Sequence, residues 1–151
     1  MKKWRGRLKL LDVNIWIALA LDRHAFHQVA RLWWVQQRTP RDIAFCRVTQ
    51  LSFLRLLTTE TMVRQYVDSP FTNTEVWSMY DKFLASDRVI MLEEPPGLEG
   101  IWRNLTERPT ASSKMWADAY LAAFAIAGGH TLVTTDKGFR QYAKLKVIVL
   151  S

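Results

Sequence analysis

SKMWADAYLAAFAIAGGHTLVTTDKGF, residues 113–139 of a 151-residue chain, decides the fold. Its first half, Ser113–Ala127, reads as a helix, because alanines and long apolar side chains favour one and no proline interrupts them. The pair Gly128-Gly129 ends that helix, since glycine takes the left-handed backbone of a C-terminal cap without strain. Thr131–Thr135 is β-branched and apolar and reads as a strand, and Asp136 with Gly138 makes the turn after it. A helix handed to a strand in this way is half of a βαβ unit.

The same alternation continues outward in both directions. Leu8–Val13 predicts a buried first strand, Ile15–Leu21 a helix capped by Asn14, and Ala25–Gln37 a second helix broken at Thr39-Pro40. Ile43–Cys46 predicts a strand, and Thr49 caps a helix running to Leu57. Between Thr58 and Asn73 no period stands out. Thr74–Ser86 predicts a helix, Arg88–Leu92 a strand, Leu98–Glu107 a helix launched by Pro95-Pro96-Gly97, and Val147–Leu150 a last strand. No repeat, low-complexity tract or linker divides the chain, so residues 1–151 are expected to form a single domain. The fold class this implies is α/β: three α/β/α layers around a mainly parallel central sheet.

Lys and Arg number 21 against 14 Asp and Glu, a formal charge of +7. The excess gathers at Lys2, Lys3, Arg5, Arg7 and Lys9 and again at Lys137, Arg140, Lys144 and Lys146. Such clusters suit a polyanion, whose counterions they displace, although a basic surface without such a partner is the competing reading. Cys46 is the only cysteine, which excludes a disulfide framework and a cysteine-based zinc site. His24, His27 and His130 form no HExxH and are assigned no role. The glycines make no phosphate-binding loop, and no serine sits in a GxSxG elbow. The basic start before Leu8–Leu21 imitates a signal peptide, yet Asp12 and Asn14 lie inside the apolar run and no small-residue cleavage site follows it. Ala119–Ala127 is far shorter than the ~20 residues of a membrane span. A cytoplasmic protein with no membrane partner is expected. The seven tryptophans, mostly at helix positions, read as core rather than as platforms for stacked bases.

Three carboxylates then converge. Asp12 ends the first strand and Asp136 follows the Thr131–Thr135 strand, so a parallel sheet sets both at one edge. Asp118 lies in the early turns of the helix feeding that strand, and a right-handed crossover starts such a helix at the same edge. Carboxylates lining one crevice repel each other unless a cation joins them, and an all-oxygen set suits Mg²⁺ or Mn²⁺. Asp118 is the only charge between Met115 and Ala127, on a helix apolar nearly all round, and is expected to be buried. Each aspartate also has a purely structural reading. Asp118 could pair with Arg55 or sit in the helix dipole, Asp12 could cap a helix, and Asp136 could serve its turn.

At these residues the chain resembles a known family. Leu11-Asp12-Val13-Asn14, Trp116-Ala117-Asp118-Ala119-Tyr120-Leu121 and Leu132-Val133-Thr134-Thr135-Asp136-Lys137-Gly138-Phe139 resemble the PIN domain of VapC-type toxins. Arg47–Thr58 resembles the second motif of one VapC subgroup, and the likeness covers essentially the whole chain. The resemblance implies a Mg²⁺- or Mn²⁺-dependent endoribonuclease, the toxin half of a toxin–antitoxin pair, that hydrolyses RNA phosphodiester bonds with a metal-activated water. It implies Asp12 and Asp118 as metal ligands, with Asp136 completing the catalytic cluster and Asn14 in support. It also implies RNA substrates such as tRNA or ribosomal RNA, a homodimer, and a VapB-like antitoxin that inserts a segment near the site.

One departure stands out. Most PIN domains supply a glutamate from the helix at Thr49–Leu57, and this helix has none. Gln50, Ser52 and Arg55 occupy the candidate positions, and Glu60 comes at or beyond its end. Gln50 would orient a metal-bound water without adding charge, and Arg55 would hold Asp118 or a substrate phosphate. The alternative reading is a catalytically weakened PIN-like module that binds RNA or protein without cutting. A DNA-directed nuclease ranks below both, because the chain has no long insertion to thread a flap.

Overall fold

The computed structural model describes residues 8–151, so the predicted basic cluster at Lys2, Lys3, Arg5 and Arg7 lies outside the described residues. In chain order the elements are β1 (Lys9–Leu11), α1 (Val13–Ala20), α2 (His27–Gln36), β2 (Ile43–Cys46), α3 (Arg47–Leu57), α4 (Glu60–Val63), α5 (Asn73–Ala85), β3 (Val89–Leu92), α6 (Leu98–Thr106), α7 (Met115–Gly128), β4 (Thr131–Thr134) and β5 (Lys146–Val149). A short 3₁₀ turn, Lys137–Gln141, joins the last two strands. Every strand pairing is parallel, and the order across the sheet is β3-β2-β1-β4-β5.

Successive strand residues point to opposite faces, and that alternation builds the three layers. Leu11, Phe45 and Val133 pack with Trp16, Phe53 and Val76 of the α1, α3 and α5 layer. Their chain neighbours Leu10, Cys46 and Leu132 pack with Leu98 of α6 and with Ala122 and Phe124 of α7. Strands buried on both faces read as continuous apolar runs, which is why β2 and β4 stand out in the sequence. Helix α7 turns Ala119, Ala122, Ala123 and Ala125 inward, all fully buried, and their small side chains let its backbone lie close to the sheet. Gly129, with φ of +70°, supplies the left-handed cap that closes it.

The predicted boundaries move in places, for local reasons. Helix α1 begins at Val13, so Asn14 is inside the helix and Asp12 occupies the cap position. The first strand is correspondingly only three residues long. Helix α3 begins at Arg47 rather than after Thr49. Thr49 acts from its third position, where the hydroxyl accepts from the Cys46 N–H at 2.9 Å. Helix α7 begins two residues later than the pattern predicts, at Met115. The segment without a clear period holds the single-turn helix α4.

The tryptophans divide. Trp16 and Trp33 are buried, as read from the sequence, but Trp77 is 50% exposed and Trp116 57% exposed, so the core reading is corrected for those two. Trp4 lies outside the described residues. Among the described residues no helix is long and apolar enough to cross a membrane.

Candidate active site

The chain leaves β1 for β2 and β3 on one side, then returns to lay β4 and β5 on the other. The reversal falls between β1 and β4, and in open α/β sheets ligands bind beyond the carboxyl ends of the strands at such a point. Asp12 stands there. Its N–H extends the β1–β4 ladder by donating to the Val133 carbonyl at 2.9 Å. The carboxylate does not cap α1; it turns across the switch point instead, and Oδ2 accepts from the Thr134 hydroxyl at 2.8 Å. Thr134 also accepts from the Asp136 N–H at 3.0 Å, so one buried hydroxyl ties the ends of both strands together.

Asp136 keeps its turn role. Its Oδ1 accepts from the Gly138 N–H at 2.7 Å, while the residue as a whole is exposed at the crevice rim. Asp118 lies in the first turn of α7, with the helix dipole behind it. It is exposed, which corrects the expectation that it is carried into the core: the buried part of α7 begins one residue later, at Ala119.

Asp118 and Asp136 lie near enough to Asp12 for their charges to act on it. Asp12 is 5% exposed, and its pKa is pushed up to about 6, chiefly by burial and further by the negative charges of Asp118 and Asp136, against the opposing Thr134 hydrogen bond. Asp118 is raised too, by partial desolvation and then by Asp136. Among the described residues none of the three forms an ion pair. A buried carboxylate in the field of two others, with no cationic side chain paired to it among the described residues, suits a divalent ion. Among the described residues no three His, Cys, Asp or Glu side chains are drawn into a ready-made metal cage. Mg²⁺ keeps several waters and takes one or two carboxylates directly, so the donor set fits an ion held partly through water.

The remaining predicted residues fare differently. Asn14 is exposed on the second residue of α1, and no hydrogen bond of its side chain is found. Gln50 is buried at the start of α3, and its Oε1 accepts from Arg47 rather than meeting the aspartates. Ser52 is half-buried and forms no ion pair or hydrogen bond of note, whereas Glu60 pairs with Arg64 away from the site. Arg55 is exposed in the last turn of α3 and makes no ion pair with Asp118, so that expected contact is not formed. Two residues were missed. Thr134 is hidden in sequence because a threonine in a β-branched run reads simply as strand. Arg47, exposed at the carboxyl end of β2 and donating to Gln50, lies inside the Arg47–Thr58 motif but has no sequence signal of its own.

A model of the PIN domain matches residues 9–145. The chain is 47% identical to Ribonuclease VapC41 of Mycobacterium tuberculosis, over 94% of this chain and 98% of that protein. Ribonuclease VapC31 of the same organism is 26% identical over 92% of this chain and 96% of its own length. Among solved structures, the sarcin-ricin loop cleaving toxin VapC20 of M. tuberculosis superposes with a TM-score of 0.65 at 18% identity, covering 95% of this chain and 99% of that one. VapBC2 of Rickettsia felis, bound to a DNA fragment from its promoter, gives a TM-score of 0.63 at 16% identity, with 95% and 99% covered; at these identities the two structures speak for the fold alone.

Proposed function

The chain belongs to the VapC branch of the PIN-domain family, and from that premise we propose that it is a metal-dependent endoribonuclease, a single-domain toxin held in check by a VapB-like antitoxin. The observation that carries the chemistry is the place of Asp12: buried just beyond β1 at the switch point, anchored through Oδ2 by Thr134, and without an ion pair among the described residues. A bound Mg²⁺ or Mn²⁺ supplies a lowered pKa for a coordinated water and a polarised phosphoryl oxygen.

The chain's own groups do the positioning. Thr134 fixes the Asp12 carboxylate by its Oδ2, leaving Oδ1 to ligate. Asp118 offers a second carboxylate from the exposed tip of α7, where an ion is reached without entering the core. Asp136, with Oδ1 committed to Gly138, has Oδ2 left to orient the attacking water or its proton. The exposed cations Lys137 and Arg140, directly after Asp136, meet substrate phosphates, which fix register without reading sequence. We assign tRNA or ribosomal RNA as the substrate class, the cytoplasm as the place of action, and a homodimer as the working form, all carried over from the family resemblance.

The test is incubation of total RNA and tRNA with purified protein in Mg²⁺ and in chelator. Discrete fragments in Mg²⁺ alone are expected. Intact RNA in every lane, from folded protein free of antitoxin, favours the binding module that the missing α3 glutamate allows. Thr134→Val keeps the strand and its volume but removes the hydroxyl that anchors Asp12. It is expected to cut the cleavage rate about 10- to 100-fold, in line with losses of groups that orient metal ligands, while circular dichroism stays unchanged. A rate within twofold of wild type would remove Thr134 from the site.

A further inference from the structure

A cavity of about 680 Å³ opens between α6 and the loop that leads into α7, with Trp102, Arg108, Ser112 and Trp116 in its lining. That volume lies within the range of ligand clefts, roughly 300–1,000 Å³. Trp102 is fixed there: its indole N–H donates to the Trp116 carbonyl at 3.1 Å, and its ring meets Tyr120 edge-on at 5.3 Å. Trp116 is not fixed in the same way. Among the described residues it has one aromatic neighbour, Trp102, at 6.2 Å and 84°, and more than half of its surface faces solvent. An indole this exposed costs hydrophobic free energy in the isolated chain, which a flat ligand would recover.

The charges around it indicate the ligand's chemistry. Arg103 is taken by Glu99 at 3.5 Å. Among the described residues Arg108 forms no ion pair, and Glu107 next to it is the other free charge of the lining. Trp116 precedes Asp118 by two residues, about 200° around the first turn of α7. A strand crossing the helix tip therefore presents a phosphate on the Asp118 side and a neighbouring ring on the Trp116 side.

We infer that this groove is a nucleobase subsite, in which an unpaired base of single-stranded RNA stacks on Trp116 while Arg108 meets an adjoining phosphate. The subsite deepens the ribonuclease reading and rests on it for the direction of the strand. It selects unpaired nucleotides beside the cut, because a base within a duplex has no free face to offer.

The test uses the full-length chain carrying Asp12→Asn, in chelator, so that binding is read without cleavage. Anisotropy of a short fluorescein-labelled single-stranded RNA is compared with that of an abasic ribose-phosphate strand of the same length. Adding Trp116→Ala is expected to weaken RNA binding about 10-fold, as for other base–aromatic stacks. Trp116→Phe restores it to within about threefold, and Trp77→Ala, on the far layer, leaves it unchanged. The preference for RNA over the abasic strand disappears in the alanine variant. Equal affinities for the RNA with and without Trp116, or an abasic penalty that persists in its absence, overturn the subsite; the groove then belongs to a protein partner. Trp116-dependent binding by a protein whose wild type cuts no RNA supports the subsite and overturns the ribonuclease reading alone. Cleavage by Trp116→Ala with unchanged KM overturns the subsite alone.

Discussion

Asp12→Asn is expected to lower RNA cleavage by more than ~100-fold and, in the same protein, to raise thermal stability without metal. The first effect follows from losing the carboxylate proposed as the central metal ligand, a heavier loss than the ~10- to 100-fold usual for a group that merely orients a ligand. The second follows from linkage. The Asp12 pKa rises from 3.8 to about 6 on folding, so the folded chain holds that proton more tightly than the unfolded one. Stability therefore falls as pH rises through the window between those two values and stays lower above it. At about 1.4 kcal/mol per unit, the penalty at neutral pH is on the order of 3 kcal/mol.

Asparagine keeps an acceptor for Thr134 and carries no charge, so it removes most of that penalty. A gain of about 5 °C in Tm at pH ~7.5 is expected, shrinking by more than half near pH ~4.5. Mg²⁺ should raise the Tm of wild type by mass action and leave the variant unmoved. Melting curves of both proteins in chelator and in Mg²⁺ check each part. A variant no more stable than wild type at pH ~7.5 would mean that Asp12 carries no uncompensated charge. Asp118→Asn makes the contrast: its carboxylate is exposed, so activity should fall with no comparable gain in stability.

Phe45→Ala is expected to cost about 3–5 kcal/mol. The ring is fully buried in β2 and lies flat on Trp16 of α1, with centroids 3.7 Å apart and planes 6° from parallel. It also meets Phe53 of α3 and Tyr80 of α5 edge-on, so truncation opens a cavity shared by three helices and the sheet. Set against a whole-domain stability of roughly 5–15 kcal/mol, the loss is a large share. Urea unfolding should show a lower midpoint for Phe45→Ala and a much smaller change for Phe45→Leu. A cost under about 1 kcal/mol would show that the neighbouring aromatics close the gap.

The strand ends were legible because β1 and β4 are apolar runs that stop at aspartates, and parallel pairing alone brings Asp12 and Asp136 to one edge. The depth of Asp118 was not legible. Its helix is apolar by composition, but burial begins where the helix passes under the sheet at Ala119, and a one-dimensional pattern does not record that entry point. Val13 misled in the same manner: a β-branched residue reads as strand, yet the first turn of a helix accepts it readily. The alternative pairing of Asp118 with Arg55 needed a buried Asp118, and it is not formed because both residues are exposed. Thr134 and Trp116 share a different cause. Their importance lies in what they touch or leave untouched across the fold, which residue type does not encode.

The Thr134 hydroxyl gives the crevice a direction. A peptide N–H cannot accept, so the oxygen of Thr134 must receive from Asp136 and its single hydrogen must point to Asp12. The sequence amide, hydroxyl, carboxylate thus has one hydrogen-bond direction, which cannot be reversed without breaking the strand-end bond. One lone pair of Oδ2 is engaged by Thr134, which leaves Oδ1 as the freer oxygen of Asp12. The buried wall behind Asp12 is thereby fixed in orientation, and the oxygen it leaves open is Oδ1.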